Sequence, residues 1–254
     1  MKKATLVLMV IVVVLSGALL AGRSYAIDLA IRPVKVFLDA ASGTDKLFLQ
    51  NTGREAFDLQ IRIYAWSQDA AGKDVYKDTT ELVVFPKIFK VAGQEERMVR
   101  IGTKQKPGQV ERCYRIYLEE IPLASRKAEQ GPSVRMLTRV GIPVFLAPAK
   151  TAGQGKIEAL RLDKGRLTVD LKNEGTAHWP ISNILVSGNA GSPGGKGFTR
   201  EISGWYLLSG ATRVYTVDIP SDACVSLKSI AVEVRSETYS LKGGLDVDKA
   251  MCAP

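Results

Sequence analysis

Apolar and polar residues alternate with a period of two along much of the chain. From Phe57 to Tyr64, apolar residues stand at 57, 59, 61 and 63, with polar or amphipathic residues between them. This spacing predicts a β-strand with one buried face. Similar alternation predicts further strands over Lys46–Gln50, Arg97–Ile101, Tyr114–Leu118, Leu167–Leu171 and Ile230–Val234.

Turn-forming sequences separate these strands, among them Asn51–Gly53 and Asn173–Gly175. No helical stripe of the i, i+3, i+4, i+7 kind persists beyond two turns. Many short strands at this spacing are typical of antiparallel sandwiches, so the expected fold class is all-β. A boundary is expected near Pro148–Gly153, after the apolar strand Val140–Leu146. It would divide the chain into two β-sandwiches, residues 27–148 and 152–254.

Residues 1–26 have the pattern of a cleaved secretory signal. Lys2 and Lys3 precede an apolar run from Leu6 to Leu15. Small side chains, Ser24 and Ala26, then stand at the two positions that a signal peptidase reads. The run is too short for a membrane span, and no second stretch of 18 apolar residues occurs. The mature chain is therefore expected to be exported and not inserted into a membrane.

The mature chain would carry a moderate positive charge. Of the 35 Lys and Arg residues, Lys2, Lys3 and Arg23 leave with the signal, so 32 bases face 26 acids and the net charge is +6. This balance suits an acidic protein partner or a carboxylate ligand. Nucleic-acid binding is not expected, because no Lys/Arg-rich run with interleaved aromatic residues occurs.

Catalytic sequence patterns are missing. His178 is the only histidine, and it can neither build a multi-histidine metal site nor complete a catalytic triad without a Gly-x-Ser-x-Gly elbow, which the chain lacks. Its expected place is a loop or a strand edge. Glu119 and Glu120 are consecutive strand residues that point to opposite faces, so they cannot act together as acid and base. No enzyme activity, cofactor or metal site is expected.

The three cysteines of an exported chain allow one disulfide and leave one thiol over. Cys224 and Cys252 both lie in the expected second domain, with Cys252 close to the C-terminus, so their pairing would hold the final strand in place. Closing this loop of about 29 residues would contribute roughly 3–4 kcal/mol in the chain-entropy model. Cys113 would stay reduced.

Several segments, in this order, resemble the periplasmic chaperones of the chaperone–usher pilus-assembly pathway. They are Leu47–Gly53, Phe57–Trp66, Phe85–Ile101, Tyr114–Pro122 and Arg139–Phe145 in the first domain, and Leu167–Gly175 and Gly204–Leu208 in the second. Each motif alone is weak, but the ordered set covers nearly all of the mature chain. The resemblance implies two immunoglobulin-like sandwiches joined at an angle, with a cleft between them.

Three details resemble the archaic branch, which assembles pilins of the spore-coat-U type. Pro143 stands where classical members carry a basic anchor residue, and Val34 stands where they carry an arginine. In the archaic branch the anchoring arginine lies on the F strand, which is Arg115 here, after Tyr114. The resemblance thus implies that Arg115 grips the terminal carboxylate of a pilin, with Arg139 as the second candidate. The alternative is a solvated strand arginine in a surface ion pair.

The resemblance also implies a mechanism and partners. Such chaperones bind incomplete pilin subunits in the periplasm by donating their G strand and deliver them to an outer-membrane usher. In a strand read from Ser133, the side chains that would enter the pilin are Val134, Met136, Thr138 and Val140. The alternative is that this face covers the chaperone's own core.

A second class of function stays open at the level of sequence. An exported adhesive or carbohydrate-binding sandwich would need a loop patch of aromatic residues with acids or amides. Only Trp179 and Trp205 are loosely available for such a patch.

Overall fold

The structure is a computed structural model that describes residues 27–122, 136–191, 197–237 and 239–253. The expected signal segment 1–26 and the expected donor residue Val134 lie outside the described residues. The described chain is nearly all β, which confirms the fold class expected from the alternating pattern.

The first domain is a sandwich of two sheets. Its described strands are β1 (Leu29–Arg32), β2 (Val36–Leu38), β3 (Thr44–Asn51), β4 (Phe57–Gln68), β5 (Asp74–Asp78), β6 (Leu82–Phe85), β7 (Ile88–Val91), β8 (Glu96–Thr103), β9 (Arg112–Ile121) and β10 (Arg139–Leu146). One sheet has the order β1-β3-β8-β6. The other has the order β2-β10-β9-β4-β5, and β7 also pairs with β4.

The second domain is also a sandwich of two sheets. Its described strands are β11 (Gly155–Asp163), β12 (Arg166–Asn173), β13 (Trp179–Ala190), β14 (Phe198–Ser203), β15 (Tyr206–Leu207), β16 (Thr212–Asp218), β17 (Leu227–Ser236) and β18 (Ser240–Asp246). The sheets have the orders β11-β12-β16 and β14-β13-β17-β18, and β15 also pairs with β13. A short helix, α1 (Ser221–Cys224), and a 3₁₀ turn (Lys249–Cys252) complete it.

Each sandwich buries the alternating apolar residues that the sequence pattern picked out. On β4, Phe57, Leu59 and Ile61 are buried in the first core, while the residues between them are not. The second core is separate and includes Leu167 and Leu171 of β12. The connection between the two sandwiches runs over residues 147–154, the region in which the sequence places the domain boundary.

The same buried asparagine corner closes a strand in each domain. Asn51 and Asn173 are each 1% exposed. Each side-chain oxygen accepts a hydrogen bond from the amide of the glycine two residues later, Gly53 or Gly175, at 2.9 and 2.8 Å. Each Nδ2 also donates to two or more backbone carbonyls of neighbouring segments. These side chains satisfy the backbone polar groups of a buried turn, which explains why the two turns share their sequence pattern.

Strand β10 is covered on one edge along its length and on the other edge only in part. Its pairing with β9 is antiparallel and extends over Arg139–Leu146. On the opposite edge, β2 runs parallel to Val144–Leu146 alone. Within the described residues, no strand pairs with this edge between Arg139 and Pro143. That part of β10 therefore presents backbone groups that another strand can bind.

The structure brings Cys224 and Cys252 together inside the second core, with Cα atoms 5.7 Å apart and the two sulfurs joined. This separation lies within the range of protein disulfides. Cys113 is a buried free thiol. Its burial, and secondarily the neighbouring Glu111, raises its pKa, which keeps it in the unreactive thiol form.

We expect reduction to destabilise the protein through this pair alone. The Cys224→Ala/Cys252→Ala variant should lose roughly 3–4 kcal/mol of unfolding free energy in urea, because the unfolded chain regains the entropy of an open loop. A reductant should lower the stability of the wild type and of Cys113→Ala, and leave the double variant unchanged. Peptide mapping of the non-reduced protein supplies the direct measurement, and a peptide that links Cys113 to either partner would contradict the pairing.

Candidate functional site

The two domains meet over a small apolar cluster. Trp66, Cys113 and Phe145 of the first domain pack against Leu208 of the second, with Tyr206 partly buried beside them. Trp66 meets the Tyr206 ring edge-on, with 5.6 Å between the ring centroids. These first-domain side chains point away from the sandwich core, because they occupy the outward positions of β4, β9 and β10. The outer face of this sheet therefore becomes the floor of the cleft.

Hydrogen bonds of Gln68 tie the end of β4 to the second domain. Its Nε2 donates to the Tyr206 carbonyl at 2.8 Å, and its Oε1 accepts from the Leu208 amide at 2.9 Å. Nearby, the indole nitrogen of Trp205 donates to the Asp74 carboxylate at 2.8 Å. Both domains thus contribute polar groups that fix the aromatic residues of the cleft.

Glu111 and His178 form a second polar link between the domains. One carboxylate oxygen of Glu111 accepts from the His178 backbone amide at 2.8 Å and lies 2.7 Å from its ring Nδ1. The imidazole stacks on Phe145 with 3.7 Å between the ring centroids. The sequence placed His178 in a loop or at a strand edge, and it directly precedes β13. Its contact with Glu111, 67 residues away, has no signal in the sequence.

Arg115 lies in this cleft and is 6% exposed. Tyr114, Ile116 and Leu118 are buried in the sandwich core, so Arg115 is on the opposite face of β9, as the alternation predicts. Its guanidinium carbon is 4.1 Å from the centroid of the Trp66 ring and 5.7 Å from that of Trp205. The first distance is that of a cation–π contact.

The guanidinium of Arg115 lacks an anionic partner in the part of the chain that the structure describes. Its Nε and Nη2 atoms are buried and have no hydrogen-bond acceptor there. A buried charge without a partner is costly, and two adjacent guanidinium nitrogens match the two oxygens of a carboxylate. The geometry thus suits the bidentate binding of a carboxylate that comes from another molecule.

The open edge of β10 lies beside this arginine, since Pro143 is in register with Arg115. The Thr138 carbonyl accepts from the Glu120 amide at 2.9 Å, so even-numbered residues of β10 direct their backbone groups toward β9. Odd-numbered residues, including Gly141 and Pro143, direct theirs to the open edge. Proline lacks an N–H, and at this position it costs β10 no hydrogen bond to β9.

Arg139 lies outside the cleft. It is four residues before Pro143 on β10, which is about 13 Å along the strand. Its Nε is 2.8 Å from the Glu119 carboxylate, and its guanidinium is 3.9 Å from the centroid of the Tyr117 ring. Arg139 and Arg115 are therefore not brought together, and Arg139 already has an anion beside it.

Strand β10, the expected donor strand, begins later than the alternating pattern from Ser133 predicts. Strand β10 starts at Arg139, so Met136 and Thr138 precede it. Met136 is 58% exposed and Leu137 is 52% exposed, so Leu137 does not pack in the core of the sandwich. Val140 packs partly against the core of its own sandwich, which is the alternative that the sequence left open for this face.

The comparison with family models gives one match, over residues 28–152: the pili and flagellar-assembly chaperone family, PapD N-terminal domain. Residues 28–152 belong to this family of pilus-assembly chaperones. No curated protein sequence matched the chain.

Solved structures of pilus chaperones share the two-domain fold. The chain is similar to the complex of the chaperone CsuC with the tip adhesion subunit CsuE, from the archaic chaperone–usher Csu pili of Acinetobacter baumannii, with 23% identity and a TM-score of 0.57. That match covers 85% of this chain and 97% of the other. A complex of SafA pilin with the SafB chaperone from Salmonella enterica matches at 13% identity and a TM-score of 0.56, over 88% and 99% of the chains. The Escherichia coli chaperone DraB matches at 16% and 0.54, over 87% and 98%.

Two further observations concern the carbohydrate-binding alternative and membrane insertion. Trp179, one of two aromatic residues considered for a carbohydrate patch, is 2% exposed and stacks on Tyr239 in the second core. Trp179 is therefore not available for such a patch. None of the helices in the described part has the length and apolar character that a membrane span requires.

The link between Glu111 and His178 should contribute measurably to stability. In Glu111→Ala, the partly buried amide of His178 loses its acceptor, and we expect the unfolding free energy in urea to fall by about 1–3 kcal/mol. Glu96→Ala is the control, since Glu96 forms an exposed ion pair with Arg32 that should be worth about 0–1 kcal/mol. Equal losses in the two variants would show that the buried link does not stabilise the domain junction.

Proposed function

We propose that this protein is a periplasmic chaperone that captures pilin subunits by donor-strand complementation and delivers them to an outer-membrane usher. The donated segment is the open part of β10 with the residues that precede it. Arg115 is the anchor for the terminal carboxylate of the subunit. The signal of residues 1–26 directs export of the protein and is then cleaved. The protein acts without a cofactor and catalyses no reaction.

The observation that carries this proposal is the buried guanidinium of Arg115, with two nitrogens that find no acceptor in the described part of the chain. A protein retains such a group at a cost unless a ligand satisfies it. A carboxylate at a chain terminus can enter the cleft end-on, whereas a side-chain carboxylate in the middle of a strand would have to bring its backbone inside. The cleft therefore favours a chain end.

The position of Arg115 also gives the direction of the captured strand. Strand β10 runs from Arg139 toward Phe145, which lies at the domain junction. A subunit strand that follows the open edge and ends at Arg115 must run the same way. Its pairing with β10 is consequently parallel, and its last residues lie next to Pro143.

We assign the protein to the archaic branch of these chaperones. The support is the F-strand position of Arg115 and the proline at 143, where classical members carry a basic residue. The fold similarity to CsuC of the archaic Csu pili is consistent with this assignment. The corresponding subunits would be pilins of the spore-coat-U type, and release to the usher would follow from exchange of the donated strand for a strand of the next subunit.

Arg115→Ala should abolish stable capture of pilin and leave the chaperone folded. Truncation leaves the carboxylate of the subunit buried and unpaired, which should cost about 2–5 kcal/mol of complex stability. Capture is measured by copurification with the pilin whose gene neighbours that of the chaperone, and folding is measured by thermal melting.

Arg139→Ala is the matched control for this experiment. It removes an arginine from the same sheet, but one that is 54% exposed and paired with Glu119. It should leave capture within about a few-fold of the wild type, because exposed ion pairs contribute little. Normal capture by Arg115→Ala together with loss in Arg139→Ala would move the anchor to Arg139 and overturn the assignment.

Donation of a strand predicts that neighbouring residues differ in their effect on capture. If Met136 enters a pocket of the pilin, Met136→Asn buries an amide without partners and should cost roughly 1–3 kcal/mol of complex stability. Leu137→Asn is matched to it, because Leu137 is the next residue and similarly exposed, but would point to the other face of a donated strand. We expect Leu137→Asn to bind pilin normally and both variants to melt like the wild type. Equal effects on capture would contradict the alternation that donor-strand binding requires.

A further inference from the structure

Trp205 leaves part of a large aromatic ring exposed at the junction between the domains. It is 40% exposed, whereas Trp66 and Phe145 of the same junction are buried. Within the described residues, its ring belongs to none of the buried apolar clusters. The core therefore does not explain this tryptophan. A partly exposed tryptophan beside a binding site is typical of the residues that dominate contacts with a partner.

The Trp205 ring is nevertheless held in one orientation. Its indole nitrogen donates to the Asp74 carboxylate of the first domain at 2.8 Å, and its ring meets Tyr206 edge-on, with 5.7 Å between the centroids. The same carboxylate accepts from the Gln68 side-chain amide at 3.0 Å and from the Tyr76 hydroxyl at 3.3 Å. A ring that is fixed before binding loses little conformational freedom when a ligand packs against it.

Trp205 lies beside the guanidinium that has unpaired nitrogens. Its ring centroid is 5.7 Å from the guanidinium carbon of Arg115, on which Trp66 stacks more closely, at 4.1 Å. A carboxylate bound to the free Nε and Nη2 atoms would lie about 3 Å from them. In the last residue of a chain, the side chain is only two bonds from the carboxyl carbon. A large side chain there can therefore span the distance to Trp205.

We propose that Trp205 is a specificity-determining residue for subunit capture: it packs against the side chain of the last subunit residue and favours subunits that end in an aromatic residue. This inference rests on the carboxylate anchoring proposed above. Arg115 alone would bind every chain end alike, because each carries the same carboxylate. Trp205 adds a contact that depends on which residue carries it. Asp74 is the corresponding positioning residue, since it fixes the indole.

The test uses three forms of the neighbouring-gene pilin. Two of them differ only in the last residue, which is Phe or Gly, and the third has a short Gly-Ser extension that displaces the carboxylate. Each pair of forms competes for the chaperone, and the captured forms are distinguished by mass. The wild type should capture the Phe form about fivefold better than the Gly form, the scale expected for a packed aromatic pair. It should capture the extended form least.

Trp205→Ala should lose the preference for Phe over Gly and still prefer the Gly form to the extended form, because Arg115 remains. A merely structural role of Trp205 would weaken capture of all forms by the same factor and leave the ratio unchanged. Asp74→Ala should lower the ratio, since the indole is released, and Asp74→Asn should largely restore it, because its amide oxygen can still accept from the indole.

Phe85→Ala is the matched control. Phe85 is an aromatic residue that is 75% exposed, but it lies on β6 in the other sheet, and its removal should leave the full preference for the Phe form. If Trp205→Ala proves unstable by thermal melting, Trp205→Leu decides the question. It retains apolar bulk without an aromatic ring and should keep less than about half of the preference.

The outcomes separate this inference from the function on which it rests. A wild type that captures the extended form as well as the Gly form would refute carboxylate anchoring itself. A wild type that makes this distinction but captures the Phe and Gly forms equally would overturn the role of Trp205 alone. An unchanged preference in a folded Trp205→Ala or in Trp205→Leu would do the same, as would an equal loss of preference in Phe85→Ala.

Discussion

The constraint on which the site depends is the burial of a positive charge that the described chain does not neutralise. Arg115 is withdrawn from water and faces Trp66, so in the described part of the chain its charge is compensated mainly by the negative face of an aromatic ring. Such a contact is worth about 2 kcal/mol when desolvated, less than the usual penalty for a buried ion. The isolated chaperone is thus left with a favourable interaction still to be made. A carboxylate from a subunit would complete it.

Strand β10 reconciles two demands that oppose each other. Its inward residues Ile142, Val144 and Leu146 are fully part of the first core, so the strand cannot leave the sandwich. In the proposed function, its outer edge must nevertheless stay available to a second chain. The parallel strand β2 covers only the last three residues and leaves Arg139–Pro143 open. Pro143 and Arg139 limit unwanted strand pairing at this edge. The proline lacks a backbone N–H donor, and the charged arginine disfavours pairing with the same edge of a second copy.

The sequence predicted the strands, the two-sandwich architecture and the face of Arg115, because each follows from a period-two pattern that is local. It did not predict contacts between residues distant in the chain. Glu111 and His178 carry no pattern that links them, and the asparagine corners at Asn51 and Asn173 read only as turns. The start of β10 was set too early because residues 133–138 continue the alternation. Leu137 is exposed there, since it precedes the first residue of the strand.

The family model spans residues 28–152, yet the surroundings of Arg115 are not complete in that part of the chain. Trp205 approaches the open side of Arg115, and Leu208 closes the apolar cluster beneath it; both belong to the second domain. Water would otherwise reach the guanidinium and weaken any ion pair formed there, because charge interactions decline as the local dielectric constant rises. The hydrogen bonds of Gln68 and of Glu111 hold the second domain in this position. In the proposed capture, the second sandwich would therefore exclude water from Arg115, a role that requires the junction between the domains to be rigid.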